Sequence, residues 1–105
     1  MERVRLSTSG WKVSGYMARS FADRFFGIRR APPGSVVVIP ARSVHGFGLG
    51  QPLEVVGLDA GMRVIATATL RPNRIVVFRS ARIIVELPSG RPVPDRGDLV
   101  EVTGG

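Results

Sequence analysis

The sequence has no cysteine and only one histidine, His45. The lack of cysteine excludes disulfides, thiolate metal sites and a cysteine nucleophile, and it fits a reducing compartment. A zinc or other transition-metal site would have to take almost all of its ligands from carboxylates. We therefore predict neither a metal site nor a cofactor.

Long apolar runs are also missing. The longest are Val36–Ile39, Ile75–Phe78 and Ile83–Val85, whereas a membrane-spanning helix needs roughly 20 apolar residues. Residues 1–10 contain no continuous apolar segment and no small-residue cleavage site, which argues against a signal peptide. These features predict a soluble, cytoplasmic protein without a membrane span, and they leave the oligomeric state open.

The 105 residues, of which 44% are apolar, suffice for one domain with its own core. The net charge is +7, from 15 Lys and Arg against 8 Asp and Glu. Such an excess fits a nucleic acid, an anionic lipid or an acidic protein as partner. The arginines are scattered, however, and the longest basic run is Arg29-Arg30, which favours a basic surface that only aids solubility.

Turn signals rich in glycine and proline recur at short intervals and separate apolar segments, as in all-β domains. The predicted strands are Val4–Leu6, Trp11–Val13, Val36–Ile39, Leu53–Leu58, Arg63–Leu70, Ile75–Phe78, Ile83–Leu87 and Leu99–Val102. Ile75–Phe78 and Ile83–Leu87 are apolar on both faces, which is typical of central strands. The pattern predicts a mainly β fold, a small antiparallel β barrel or sandwich of short strands with one short α-helix packed on it.

The helix is predicted by its ends. Ser20 and Asp23 have the spacing of a capping box, and Gly27 is typical of a helix C-terminus. One helical stripe carries Ala18, Phe21, Ala22, Phe25 and Phe26. So short a helix needs docking to be stable, so we expect these aromatic side chains in the core.

The segment that follows His45 is a candidate site. Gly46, Phe47 and Gly48 belong to a loop in which glycines permit positive φ angles and close backbone approach. Loops on a rigid β scaffold commonly carry binding sites. We predict that His45, Gly46, Phe47 and Gly48 form a loop that contacts a ligand or a protein partner.

Other chemistries are less well supported at this loop. A histidine beside Ser43 suggests nucleophilic catalysis, but the chain has no Gly-x-Ser-x-Gly elbow, and we assign no catalytic residue. The glycines do not make a P-loop, because the motif lysine is missing and a strand follows instead of a helix.

Carboxylates on apolar strands form a second candidate set. Glu86 shares a strand face with Ile84 and Arg82, and a carboxylate in that position needs hydrogen bonds or a cation. We favour a buried salt bridge that fixes strand register, and a carboxylate that lines a pocket is the alternative. The full set of candidate pocket or structural carboxylates is Glu54, Asp59, Glu86 and Asp98.

Four segments together resemble one family. Ala18–Gly27 with Ile28-Arg29-Arg30 looks like a short helix that ends in an arginine-bearing turn, and Arg42–Leu49 looks like a central His-Thr-Phe-Gly-Met motif. The other two segments are Pro52–Asp59, similar to a Pro-Leu-Asp strand with a following aspartate, and Val85–Gly90 with Gly97-Asp98, similar to a Leu-Glu-Leu-Pro-Ala-Gly strand with a terminal Gly-Asp turn. In this chain glycine, leucine and glutamate stand at positions 46, 49 and 54, where the family has threonine, methionine and aspartate.

By these motifs residues 16–102 resemble the bacterial and archaeal proteins called domain of unknown function 192. The resemblance implies a small, mainly antiparallel β barrel or sandwich with one packed helix, and it implies no activity. Residues 103–105 are expected to form a flexible tail of the single domain 1–105.

Three functional hypotheses follow. The first is a non-enzymatic binding or accessory protein for a protein partner or a small ligand, and it is the one that we favour. The second is a basic nucleic-acid-associated protein. The third is an enzyme in which His45 acts as an acid or base together with Glu54, Asp59 or Glu86, which requires those carboxylates to converge on the histidine.

Overall fold

A computed structural model describes residues 1–104, apart from the side chain of Phe21. The elements in chain order are β1 (Glu2–Ser7), β2 (Lys12–Met17), α1 (Phe21–Phe26), a 3-10 turn (Gly27–Arg30), β3 (Val36–Ile39), β4 (Ser43–His45), β5 (Leu53–Leu58), β6 (Val64–Leu70), β7 (Ile75–Val77), β8 (Ile83–Pro88) and β9 (Glu101–Gly104). In this part of the chain neither the helix nor the 3-10 turn has the length and apolar character needed to cross a bilayer.

Seven strands form one sheet in the order β6-β5-β8-β3-β2-β1-β9. The β2–β3 pair is parallel and the other neighbours are antiparallel. The strands β4 and β7 form a separate antiparallel ribbon. The mainly β architecture with one short helix confirms the predicted fold class.

The C-terminal segment connects the two edges of the large sheet. In β9, Thr103 and Gly104 pair with Arg5 and Val4 of β1. Just before β9, the carbonyl of Asp98 accepts a hydrogen bond from the Val64 amide at 2.9 Å, at the start of β6 on the opposite edge. Residues 103 and 104 therefore belong to a strand and not to a flexible tail, and Gly105 lies outside the described residues.

The sheet separates two apolar cores. The inner core, which the curled sheet surrounds, contains Val4, Leu6, Val13, Val36, Val38, Val56, Leu58, Val64, Val85, Leu87 and Val100. The outer core lies on the opposite face of β3, β5 and β8 and contains Ala18, Val37, Ile39, Val44, Leu53, Val55, Leu70, Ala81 and Ile84. The 3-10 turn and the β4–β7 ribbon cover the outer core, with Ile28 and Val76 packed against it.

The predicted strands at Val36–Ile39, Leu53–Leu58 and Ile83–Leu87 are confirmed, and the last of these is a central strand, as predicted. The prediction for Ile75–Phe78 is wrong in its placement. Its strand, β7, pairs with β4 outside the main sheet, and Ile75 and Val77 are exposed. Of this apolar run, only Val76 and Phe78 pack against the outer core.

The predicted helix ends are confirmed. The Asp23 amide donates to Ser20 Oγ at 3.0 Å, which caps α1, and Gly27 ends the helix with a φ of 54°. A positive φ at this position suits glycine because it has no Cβ. The chain then continues into the 3-10 turn, which brings its backbone against β8.

Candidate functional site

The outer face of β8 carries a buried acid at its centre. Glu86 is 4% exposed and lies between Val37 of β3 and Val55 of β5, its register partners on the two neighbouring strands. Because β8 is a central strand with both faces covered, the side chain of Glu86 points into the outer core instead of to solvent. The packing thus places a carboxyl group in surroundings that disfavour its charge.

The 3-10 turn supplies a hydrogen bond to this carboxyl group. The Ile28 amide donates to Glu86 Oε1 at 3.0 Å. A Cβ on Gly27 would collide with the same oxygen, so only glycine lets the backbone approach it. Burial raises the pKa of Glu86 to about 7, and the Ile28 N–H and the positive charge of Arg29 oppose that rise.

The predicted salt bridge for Glu86 is wrong. Arg82 is exposed, and among residues 1–104 no arginine or lysine nitrogen lies within 4.0 Å of the Glu86 carboxylate. The alternative prediction, a carboxylate that lines a pocket, describes its position. A buried arginine would need its own hydrogen bonds, whereas the backbone of the 3-10 turn is already in place.

Phe25 and Phe26 of α1 are not in the core, contrary to the prediction. Phe25 and Phe26 are 47% and 43% exposed, and the side chain of Phe21 lies outside the described part. The helix has six residues, and it packs beside the ribbon at the edge of the outer core. Phe25 and Phe26 meet edge to face, with ring centroids 5.1 Å apart.

His45 at the end of β4 continues this row of rings. Its ring centroid lies 4.5 Å from that of Phe25 and 4.9 Å from that of Phe47, which stacks on it. Nδ1 accepts a hydrogen bond from the Phe47 amide at 3.3 Å. In the neutral ring the proton is therefore on Nε2, and this atom is buried with no hydrogen-bond partner within the described chain.

A pocket of about 290 Å³ opens between α1, the 3-10 turn and the ribbon, above the outer core. Its lining combines one buried acid, one histidine, two arginines, a serine and mainly apolar side chains. These residues are Arg24, Phe25, Phe26, Ile28, Arg29, Pro40, Ala41, Ser43, Val44, His45, Leu49, Leu53 and Glu86. Glu86 is nearly buried, and its small exposed part lies in this pocket.

Two exposed cations, Arg24 and Arg29, belong to the pocket lining. The Arg29 guanidinium lies over the Phe26 ring, 5.3 Å from its centroid, and its Nε donates to the Phe26 carbonyl at 3.5 Å. Within the described residues neither arginine has a carboxylate within 4.0 Å, whereas Arg30 pairs with Asp23. The mouth of the pocket is consequently positive.

The loop after His45 supports the pocket more than it lines it. A Cβ on Gly46 would meet the carbonyl of Arg71, so the loop packs closely on the turn before β7. The Gly46 amide donates to the Arg74 carbonyl at 2.8 Å. Gly48 lies against the Arg29 guanidinium, and Phe47 contacts the pocket through the His45 ring.

The other predicted carboxylates lie elsewhere. Glu54 pairs in register with Leu87, which belongs to the inner core, so it faces away from Glu86. Asp59 Oδ1 accepts from the Gly61 and Arg63 amides at 2.9 and 3.0 Å in a hairpin turn, and Asp98 Oδ2 accepts from Asp95 at 3.0 Å. Of the three carboxylates proposed to converge on His45, only Glu86 shares its pocket. No three His, Asp or Glu side chains gather into a metal-binding group anywhere in residues 1–104.

Several residues of the pocket lining had no clear signal in the sequence. Arg24, Arg29, Phe25 and Leu49 were not assigned to a site, although the resemblance had singled out the arginine-bearing turn after the helix. Phe25 belongs to the apolar stripe of the helix, and such a stripe fits a pocket wall as well as a core position.

Fold and pocket together define a small β domain whose buried acid opens into an apolar cleft under a helix. Two archaeal proteins have similar sequences. A UPF0127 protein of Pyrococcus horikoshii is 31% identical over 102 residues, covering 87% of this chain and 89% of the relative. A UPF0127 protein of Pyrococcus abyssi is 31% identical over 88 residues, covering 76% and 75%. The chain belongs to the UPF0127 family.

Solved structures share the fold. A protein of Sinorhizobium meliloti described as a candidate transcription regulator superposes with a TM-score of 0.73 at 22% identity, covering 96% of this chain and 92% of that one. A protein of unknown function from Novosphingobium aromaticivorans gives 0.71 at 16% identity, covering 94% and 83%. No family model matches the chain.

Proposed function

We propose that this domain is a non-enzymatic binding protein for a small molecule, with the pocket above Glu86 as its binding site. The observation that carries the proposal is a carboxylate, 4% exposed and without a cation partner in the described chain, at an apolar pocket of about 290 Å³. Small-molecule sites are typically apolar clefts with a few polar groups that fix orientation. We also propose, from the four motifs quoted above, that the chain belongs to the family called domain of unknown function 192.

The histidine favours binding over catalysis. Nδ1 of His45 is already an acceptor for the Phe47 amide, and Nε2 is buried. A general base needs an open nitrogen within reach of the substrate proton. Because Nδ1 is occupied and Nε2 is covered, His45 serves to hold the row of aromatic rings that forms one wall of the pocket.

The test is a titration with three small probes that share a ring and differ in their polar group, namely benzylamine, benzoate and benzyl alcohol. We expect at least one to shift the amide signals of Ile28, His45 and Leu49 saturably in two-dimensional NMR spectra. Ser43→Trp should abolish those shifts, because Ser43 lines the pocket and is exposed, so a larger side chain fills the cleft without disturbing the core.

The matched control is Ser14→Trp, an exposed serine on β2 away from the pocket lining. It should leave the shifts unchanged. Absence of saturable shifts with all three probes, or shifts that survive Ser43→Trp, would remove the pocket as a binding site.

A further inference from the structure

Resting on this proposed function, we infer that the pocket takes a zwitterion, a ligand with an ammonium group and a carboxylate separated by an apolar spacer. Three features of the pocket favour such a ligand, namely the acid inside it, the arginines at its mouth and the apolar walls between them.

The charge inside is an acid that lacks a cation. One oxygen of Glu86 accepts the Ile28 N–H, and the exposed part of the group lies in the pocket. A buried carboxylate is stable in its charged form only when a cation or several donors reach it. The described chain provides one backbone donor, so an ammonium group from a ligand would complete the set.

The mouth has the opposite sign. Arg24 and Arg29 are exposed and have no carboxylate partner within 4.0 Å among residues 1–104. By contrast, Arg19 and Arg30 form ion pairs with Glu2 and Asp23. An anion seated between Arg24 and Arg29 would make charge-assisted hydrogen bonds with either guanidinium.

Apolar side chains fill the space between these charges. Phe25, Val44, Leu49 and Leu53 line the pocket without offering side-chain hydrogen bonds. A simple amine would have to pass two guanidinium groups without compensation, and a simple carboxylate would meet the Glu86 charge. In a molecule with both charges and an apolar spacer, the ammonium group pairs with Glu86, the carboxylate pairs with the arginines, and the spacer contacts the apolar walls.

The experiment compares ε-aminocaproate with hexylamine and hexanoate, which have the same chain and one charge each. The shorter homologues δ-aminovalerate and γ-aminobutyrate vary the spacer. We expect one of the amino acids to bind about tenfold tighter than either singly charged probe, because each added charge pair contributes roughly that factor. Dissociation constants come from NMR titrations at low salt and about pH 8, above the Glu86 pKa of about 7, so that the carboxyl group is charged.

Three variants assign the two ends. Glu86→Gln should lower the affinity of the amino acid about tenfold and leave hexanoate binding no weaker. The double variant Arg24→Gln, Arg29→Gln should lower amino-acid affinity similarly and leave hexylamine binding no weaker. Arg82→Gln is the control, since Arg82 immediately precedes β8 but is exposed and outside the pocket lining.

Binding of hexanoate or hexylamine in the pocket at least as tightly as every amino acid would overturn the zwitterion, and the pocket would remain a binding site. Failure of all probes here and of the ring probes above would remove the binding site itself.

Discussion

Glu86 is an ionisable residue that the fold buries, although burial disfavours its charged form. The folded chain keeps the proton of this carboxyl group up to about pH 7, because burial raises its pKa from 4.5. The unfolded chain releases the proton at the lower value. Between these values the folded state binds more protons, so the free energy of unfolding falls as the pH rises through this range. Above about pH 7 the folded domain carries the full cost of the buried charge.

The first prediction concerns Glu86→Gln, which keeps the shape and an oxygen that accepts the Ile28 N–H. Wild type should lose up to about 3 kcal/mol of stability relative to the variant between about pH 4.5 and about pH 7, following the pKa difference. Urea unfolding of both proteins at about pH 5 and about pH 8 measures this difference.

The comparison cancels contributions from the charged neighbours, because both proteins keep Arg29 of the 3-10 turn, His45 of β4 and Arg24 of α1. The flanking β3 and β5 positions are valines and do not titrate. Equal pH dependence of the two proteins would show that the carboxyl group is solvated in the folded state.

At the scale of elements, the join between α1 and the 3-10 turn is held to β8 at one place. Gly27 has a φ of 54° and touches the carboxylate, and the next amide donates to it. So short a helix cannot be stable alone. Its position thus depends on this contact and on the packing of Ile28 against the outer core, while the cap at Ser20 and the Arg30–Asp23 ion pair stabilise the helix and turn internally.

The second prediction compares Gly27→Ala with Gly34→Ala. Both glycines have a positive φ, but a Cβ at Gly34 meets nothing within 4 Å, whereas at Gly27 it meets Glu86. Backbone strain alone should cost about 1 kcal/mol at Gly34. At Gly27 the collision should raise the loss to about 3 kcal/mol. Chemical denaturation measures both, and equal losses would contradict the close contact.

The same elements show what sequence patterns can predict. The strands at 36–39, 53–58 and 83–87 were predictable because a short, mostly apolar run between turn signals is typical of a strand with both faces buried. The run at Ile75–Phe78 has the same pattern, yet β7 pairs with β4 outside the sheet. Apolar periodicity reports burial and contains no information on which strand will be the neighbour.

For the site, single residues were predictable and their association was not. His45 and Glu86 each stood out, one as the lone histidine and the other as an acid between apolar residues. Their shared pocket depends on long-range packing of the ribbon and the 3-10 turn over β8. Phe25 and Phe26 were misplaced because an amphipathic stripe predicts a buried face, and here part of that face lines an open pocket.

On the scale of the whole molecule, the charge of +7 is spread over the surface. Every arginine is exposed, from Arg3 and Arg5 on β1 to Arg91 and Arg96 near the C-terminus. Two of them form ion pairs with described carboxylates, namely Arg19 and Arg30. A distributed charge attracts polyanions without reading their sequence.

The third prediction follows from that distribution. Fluorescence anisotropy with two DNA duplexes of unrelated sequence should give equal affinities that fall steeply with salt, with dissociation constants near or above about 10⁻⁶ M at physiological salt. The Arg24→Gln, Arg29→Gln variant should weaken this binding only slightly, because the pocket arginines are two among many. Strong preference for one duplex would instead favour the nucleic-acid hypothesis.

The order of strands has a consequence for synthesis of the chain. The first strand forms its outer edge pairs with β9, and the start of β6 bonds to residues 97–100. The β1–β9 pairs join residues near the two ends of the sequence, and the β6 contacts join its middle to its C-terminal part. Contacts between residues so far apart in sequence are associated with slow folding. On the ribosome both edges of the sheet stay unpaired until residues 97–104 have left the exit tunnel, and exposed edges of this kind invite pairing with other chains. The nascent domain is thus most exposed to aggregation until residues 97–104 emerge, the stage at which a chaperone would protect it most.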